Sequence, residues 1–328
     1  MRKIVVLILL LCLSLTQAVK AQTTAIADIK QLQKEMYRLF PTNEVDSFTQ
    51  VVEQLKVLCQ KSGDETLFYK AWCNLAIYSF SHVDRNKGLD ILKEVRTYAE
   101  QHNSKYGLFA STLVSASQLS TLKLYDQAEK MYREAIDYQH RFFPEESAAS
   151  AYLGLAKIYT NQGKVEQILD CADHALAQPG VIVIHRLAAK SYKCMAIYIS
   201  DFPDKKERFN ECYAQREKVK ALNGSDDDFG QVVDYEYALI NENYEQALAI
   251  AQEMRTKLDR LNKLPTVYAL MNNYEQAYLA LKEYYTYRDS VNSEDLKKES
   301  SEHALQLSLV RAENEAKDLR LANQALQL

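Results

Sequence analysis

Apolar residues recur along most of the chain at spacings of three and four, which is the period of an amphipathic α-helix. In "WCNLA", for example, Trp72, Leu75 and Ala76 share one helical face. Strand-like alternation is nearly absent, and the one β-branched run beyond the N-terminus, "VIVIH" from Val181, passes at once into helical pattern. The prolines lie near the ends of the periodic segments and predict helix boundaries: Pro41, Pro144, Pro179, Pro203 and Pro265. The pattern predicts an all-α fold.

A second pattern is a repeat. The phrase NYEQA occurs at Asn243 and again at Asn273, where it predicts a turn into the second helix of a pair. Its closing alanine belongs to a series of marks at intervals of 40, 40, 40, 39 and 30 residues: Gly88, Ala128, Ile168, Arg208, Ala247 and Ala277. Arg208 is the poor member of the series. The short last interval predicts a compressed final unit, with Pro265 opening its first helix.

The spacing of large, small and aromatic residues in "YLGLAKIYTNQGK" matches the tetratricopeptide pattern. A small residue lets two antiparallel helices approach closely, and aromatic residues fill the groove of the next pair. HEAT-type repeats, which also run near forty residues, are the alternative. The predicted packing residues are Trp72, Gly88, Ala128, Tyr152, Ala156, Tyr159, Ala247 and Ala277. Repeat geometry predicts a concave binding face that includes Asn74, Tyr78, Ser117, Lys157 and Asn161.

The predicted organisation has three parts. Residues 22–285 form a tetratricopeptide-like α-α superhelix, a solenoid of stacked helix pairs capped by an earlier pair. Residues 286–328 form a long, charged C-terminal helix without Gly or Pro. Its apolar positions alternate at four and three, which predicts a coiled-coil dimer seam: Leu305, Leu309, Ala312, Ala316, Leu319, Asn323 and Leu326. The alternative is an amphipathic helix that packs back on the last repeat.

Residues 1–21 have the pattern of a secretory signal peptide. "MRK" is basic, "IVVLILLLCLSL" is apolar, and "VKA" ends in a small residue before Gln22. An uncleaved anchor is the alternative, although the apolar stretch is short for a membrane span. Cys12 follows "LLL" and lacks the small residue of a lipoprotein signal. The expected location is therefore the periplasm or the cell envelope.

The net charge narrows the classes of binding partner. Without residues 1–21, 37 of the 40 basic residues remain against 44 acidic ones. The net charge is then about −7 and there is no basic stripe, so nucleic acid is not expected as a partner.

Five scattered cysteines remain, an odd number without regular spacing: Cys59, Cys73, Cys171, Cys194 and Cys212. They are expected to be small buried residues, with one pair open to oxidation.

Sequence motifs for catalysis are lacking. "DDDFG" from Asp226 contains the kinase triplet Asp-Phe-Gly, but no glycine-rich loop or His-Arg-Asp loop accompanies it, so it is interpreted as a turn into an acidic helix N-terminus. Cys171 and His174 share a helical face, but no second pair at zinc spacing exists. No catalytic residue, cofactor or metal is expected, and the chain is expected not to be an enzyme.

Together, the export signal, the degenerate repeats, "EYYTYRDSVNSED" and the charged terminal helix resemble the periplasmic tetratricopeptide sensor region of Bacteroidetes-type sensor histidine kinases and related regulators. That resemblance implies a downstream membrane span and a kinase or DNA-binding region. The sequence ends at Leu328 within the helix, so the expectation is either a fragment of such a sensor or a free-standing exported relative. His303 lacks the phosphoacceptor motif and is not assigned that role.

The sequence is compatible with three functions. The favoured one is a signal-sensing, protein-interaction module whose concave face binds a protein or peptide and whose C-terminal helix sets a homodimer. The second is an exported scaffold in envelope assembly without a signalling role. The third is an enzyme with a site assembled between repeats, which no sequence motif would reveal.

Overall fold

The computed structural model describes residues 26–290, and within that range every regular element is a helix and none is a strand. The helices are α1 (26–39), α2 (Val45–Ser62), α3 (Glu65–His82), α4 (Arg85–Gln101), α5 (Lys105–Thr121), α6 (Tyr125–Phe142), α7 (Ala149–Asn161), α8 (Val165–Leu176), α9 (Val183–Ile199), α10 (Lys205–Asn223), α11 (Gly230–Ile240), α12 (Tyr244–Gln252), α13 (Lys257–Leu270) and α14 (274–290). The predicted all-α class is confirmed.

Helices contact mainly their neighbours in sequence. The chain divides into two compact units, one up to Ser115 and one from Ala116. In the first unit α3 packs on both α2 and α4. In the second, consecutive helices from α6 to α13 pack on one another, and α9 also contacts α7 and α11. Contacts between near neighbours are the organisation of a helical repeat, which confirms the α-solenoid-like architecture.

The turns between helices repeat one hydrogen-bond pattern. The backbone N–H that follows the turn donates to a carbonyl five residues earlier, as in a Schellman motif. The donor and acceptor pairs are Asp64 and Cys59, Asp84 and Ser79, Ser104 and Ala99, Leu124 and Leu119, Lys164 and Tyr159, Asn243 and Ala238, and Asn273 and Tyr268. The first four copies are 20 residues apart, so two helices and two turns give the forty-residue period of the sequence.

NYEQA is the start of a second helix in both of its copies. Asn243 accepts a hydrogen bond from the amide of Gln246 at 3.3 Å, and Asn273 accepts one from the amide of Gln276 at 3.2 Å. An asparagine in this position satisfies one of the free amides in the first turn of a helix. The prediction that this phrase marks a turn into a second helix is confirmed for both copies.

Most of the predicted small packing residues are buried. Ala128, Ala156 and Ala247 are fully buried, and Ala277 is half-buried. At Gly88 a Cβ atom would lie 2.7 Å from the backbone oxygen of Ala76 and 2.7 Å from the backbone nitrogen of Phe80. Backbone atoms of α3 cannot move aside as a side chain can, so the α3–α4 contact requires glycine here.

The aromatic packing residues differ in how deeply they are buried and in what they contact. Tyr159 is buried, donates to Glu129 Oε1 at 2.7 Å and accepts from Arg133 Nη2 at 2.8 Å, which joins α7 to α6. Trp72 is half-buried beneath Lys56 Nζ, 4.0 Å from the ring centroid. The half-buried ring of Tyr152 stacks on His174 at 5.2 Å.

One sequence-based expectation about a helix boundary is wrong. Pro265 lies inside α13, which begins eight residues earlier at Lys257 with Thr256 as its N-cap, so this proline does not open the helix. Arg208 is exposed, and its neighbour Phe209 fills the core in that unit. The helix α14 continues past Tyr285 to residue 290. The predicted signal peptide and the dimer seam lie outside the described residues.

Gly88→Ala tests the close approach. Alanine raises helix propensity by about 1 kcal/mol, but the overpacked contact costs about 1–3 kcal/mol or more, and the fixed backbone atoms favour the upper end. We expect a net loss of about 2 kcal/mol in the free energy of unfolding, measured by urea denaturation. The matched control, exposed Lys87→Ala on the same turn, should change it by less than about 0.5 kcal/mol. Equal stability of the two variants would contradict the assignment.

Candidate functional site

Only some of the residues predicted for the concave face are exposed to solvent. In the first unit Tyr78 is fully buried: its ring stacks on Phe48 with centroids 4.0 Å apart, and its hydroxyl donates to the carbonyl of Thr42 at 2.8 Å. Tyr78 is therefore a packing residue, and its assignment to a binding face is wrong. Asn74 is half-buried, with Nδ2 3.9 Å from the sulfur of Met36.

In the second unit the other members of that face are exposed. Ser117 on α5 and Lys157 and Asn161 on α7 all reach solvent. Since α9 contacts both α7 and α11, the first helices of successive pairs are neighbours here. The exposed side chains of α7, α9 and α11 can therefore contribute to one surface.

A buried charge cluster at the junction of α10 and α11 was not predicted. The side chain of Arg216 is fully buried. Its guanidinium donates to Ser191 Oγ at 2.8 Å, to Glu217 Oε1 at 2.7 Å and to Asp227 Oδ1 at 3.0 Å, and it also pairs with Asp226. Arg216 thus connects the core of α9 to the loop between α10 and α11.

Lys220 completes the cluster from the next turn of α10. Its Nζ lies 2.6 Å from Asp226 Oδ2 and 3.8 Å from Asp234 Oδ2. Burial raises the pKa of the Asp226 carboxyl, but the hydrogen bond from Lys220 and the charge of Arg216 outweigh it and hold that pKa below its usual range. Tyr213 donates to Asp234 Oδ1 at 2.8 Å. Two cations thus pair with the carboxylates of the cluster and fix the loop.

This cluster corrects the interpretation of "DDDFG". Helix α11 begins at Gly230 and has no acidic residue in its first turn. Asp226 and Asp227 pair instead with Arg216, while Asp228 lies 3.5 Å from Arg255 at the surface. The aspartates are loop anchors, because a buried guanidinium needs nearby carboxylates to offset its desolvation.

Glu236 on α11 is a second buried acid. The residue is 4% exposed, and its Oε2 atom has no hydrogen-bond partner. Burial raises the pKa of this carboxyl to about 7, although the charge of Lys263 lowers it in part. A carboxyl with this pKa changes charge near neutral pH, so the packing of α11 is coupled to pH.

A groove of about 280 Å³ opens beside α8, α9 and α10. Its lining combines charged and apolar residues: Leu169, Asp173, Lys193, Ile197, Phe202, Arg208, Glu211, Cys212 and Gln215. Lys193 Nζ lies 2.6 Å from Asp173 Oδ1, and Arg208 stacks on the ring of Phe202 at 4.7 Å from its centroid. Lys193 and Asp173 thus pair with each other on this wall, and Arg208 lies against an aromatic ring.

The expectation that the cysteines are buried is confirmed. Their five side chains are buried: Cys59, Cys73, Cys171, Cys194 and Cys212. His174 is exposed, with Nδ1 2.9 Å from the carbonyl oxygen of Asp170. Among residues 26–290, no group of three or more His, Cys, Asp or Glu side chains could hold a metal ion. In the same range, no helix is long and apolar enough to cross a membrane.

Comparison with known proteins identifies no family for this chain. No protein-family profile and no curated protein sequence matches the chain. Among solved structures, the crystal structure of BtubC (BKLC) from P. vanneervenii is similar over 83% of this chain and 91% of its own, with 15% identity and a TM-score of 0.25. A TM-score this low supports no inference about fold or function.

Sequence reasoning missed Arg216, Glu236 and the proximity of Cys194 to Cys212. Arg216 lies in "AQREKVK", where nothing distinguishes it from Lys218 and Lys220, which are less buried. Glu236 in "DYEYALI" gives a weak signal, because a charged residue occurs there among five apolar or aromatic ones. The contact between the two cysteines follows from how α9 and α10 pair, which their 18-residue separation does not reveal.

Proposed function

We propose that this chain is a non-enzymatic protein-interaction and sensing module of tetratricopeptide type that works in the cell envelope. The observation that carries the proposal is the neighbouring placement of α7, α9 and α11, which brings the first helices of successive pairs to one side of the second unit. Solenoids bind partners on such extended surfaces. The exposed side chains of Lys157 and Asn161 belong to it.

A second feature supports homodimer formation through the C-terminal region. Tyr274 and Tyr278 on α14 are 67% and 65% exposed, and Leu281 and Tyr285 on the same helix are also exposed. Their spacing of four, three and four places them along one side of the helix. Exposed apolar stripes of this kind mark interaction surfaces. The stripe lies immediately before the region in which the heptad seam is predicted.

Site-specific photocrosslinking tests the proposal. A photoreactive amino acid is placed at Ser117, Lys157 or Asn161 in the full chain, expressed in its native host. The matched controls are exposed positions on second helices, Lys130 on α6 and Glu166 on α8. We expect one discrete crosslinked envelope protein from first-helix positions and none from the controls.

The same experiment examines the dimer. The crosslinker at Tyr278 should give a product with the mass of two copies of this chain. Identical products at first-helix and second-helix positions, or turnover by the purified chain in a survey of hydrolase substrates, would contradict the proposed function. A monomer-sized product alone at Tyr278 would overturn the homodimer.

A further inference from the structure

Two buried thiols on adjacent helices lie in contact. Cys194 on α9 and Cys212 on α10 have their sulfur atoms 3.2 Å apart. A disulfide bond needs a separation of about 2.0 Å, so the sulfurs must approach by only about 1.2 Å. Within residues 26–290, no other pair of cysteines comes within hydrogen-bonding distance. From this geometry we propose that Cys194 and Cys212 form an intramolecular disulfide by exchange with an external disulfide.

Access to the pair is asymmetric. Cys212 is 6% exposed and lines the groove beside α8, α9 and α10, whereas Cys194 is 0% exposed and lies behind it. Lys193 lines the same groove, and Lys190 supplies a carbonyl oxygen 3.7 Å from Cys212 Sγ. An external disulfide therefore meets Cys212 first.

The ionisation of the two thiols agrees with this order. The hydrogen bond from Cys194 lowers the pKa of Cys212, and the charges of Lys190 and Lys193 act in the same direction. The pKa of Cys194 is raised, chiefly because it donates that hydrogen bond and also because it is buried. Burial raises the pKa of Cys171 to about 12, so that thiol stays protonated and unreactive.

The exchange balances in two steps. The Cys212 thiolate attacks one sulfur of the external disulfide, forms a mixed disulfide and releases one external thiolate, which takes a proton from water. Cys194 then attacks Cys212 Sγ and expels the second external thiolate, which takes up the proton that Cys194 loses. Two protein thiols are oxidised, and one external disulfide is reduced to two thiols. The oxidant is any accessible disulfide of an oxidising compartment, so the chemistry does not depend on the proposed interaction function.

Oxidised glutathione serves as the probe. The full-length chain is reduced, freed of reductant, incubated with oxidised glutathione and alkylated after denaturation. We expect two fewer alkylated thiols, an intact mass lower by two hydrogen atoms before alkylation, and one peptide that links Cys194 to Cys212. The oxidised form should melt about 5 °C or more above the reduced form, since the bridge closes a loop of 18 residues.

Single variants separate the two roles. Cys194→Ser should retain one glutathione on Cys212, because no second thiol can resolve the mixed disulfide. Cys212→Ser should carry none, and Cys171→Ser should form the internal bridge as the parent does. Full alkylation of the parent after oxidation, or a bridge to a different cysteine, would overturn the proposal. Since the parent measurement needs no variant, a failure of either serine variant to fold leaves the test intact.

Discussion

Replacing Arg216 with methionine should cost about 3–5 kcal/mol of the free energy of unfolding, because removal of one partner leaves buried carboxylates without compensation. Asp227 is 6% exposed, and its Oδ2 atom already has no hydrogen-bond partner, so it has no other cation at hand. Methionine keeps most of the apolar volume, which restricts the effect to charge and hydrogen bonding. Urea denaturation at neutral pH measures it.

The control lies on the same helix. Arg208 on α10 is exposed and pairs with Asp204 at 2.7 Å, so Arg208→Met should cost less than about 1 kcal/mol, as for other exposed ion pairs. Adding Asp226→Asn and Asp227→Asn to the Arg216→Met variant should restore more than half of the loss, because the repelling charges are then gone. A loss no greater for Arg216→Met than for Arg208→Met would refute this account of the cluster.

Acid should weaken the cluster as well. The pKa of Asp226 is lowered in the folded state, so its contribution is present above the carboxyl's ordinary pKa of 3.8 and is lost as the pH falls through the lower, folded value. The cluster therefore contributes fully at neutral pH, where the Arg216 variants are compared.

Glu236→Gln should stabilise the protein at high pH and leave it almost unchanged at low pH. The carboxyl has an ordinary pKa of 4.5 and a folded pKa of about 7. Its protonated form is therefore favoured by folding, and the associated stability is complete below pH 4.5. That stability is lost as the pH rises toward 7. At pH 8 the glutamine variant should be more stable by about 3 kcal/mol, from 1.36 kcal/mol for each unit of pKa shift.

Thermal and urea denaturation at pH 4.5 and pH 8 measure this difference. Glu245→Gln, at an exposed position on α12, is the matched control and should change stability by less than about 0.5 kcal/mol at both values. An equal effect of Glu236→Gln at pH 4.5 and pH 8 would show that the carboxyl does not titrate in this window. Lys263 is the charge that moderates the shift, so its replacement by methionine should increase the pH dependence.

The local organisation of this protein follows from its amino-acid sequence alone. The helical period, the forty-residue repeat and the asparagine that begins each NYEQA helix can all be predicted from the sequence, because they depend on backbone conformation and on bonds within a few residues. The burial of Ala128 and Ala247 follows for a related reason, because a small residue repeated in register marks a place where two helices must approach.

Which individual side chains lose their contact with water depends on how distant helices pack against one another. The repeat pattern predicts Tyr78 on a surface, but this residue is buried against Phe48. Arg216 resembles the other basic residues of its helix in sequence, yet it lies in the core. Cys194 and Cys212 meet because α9 and α10 pair in one particular register. Such outcomes depend on what the facing helix presents at each position. That information is distributed over distant segments, so the periodicity of any one helix cannot contain it.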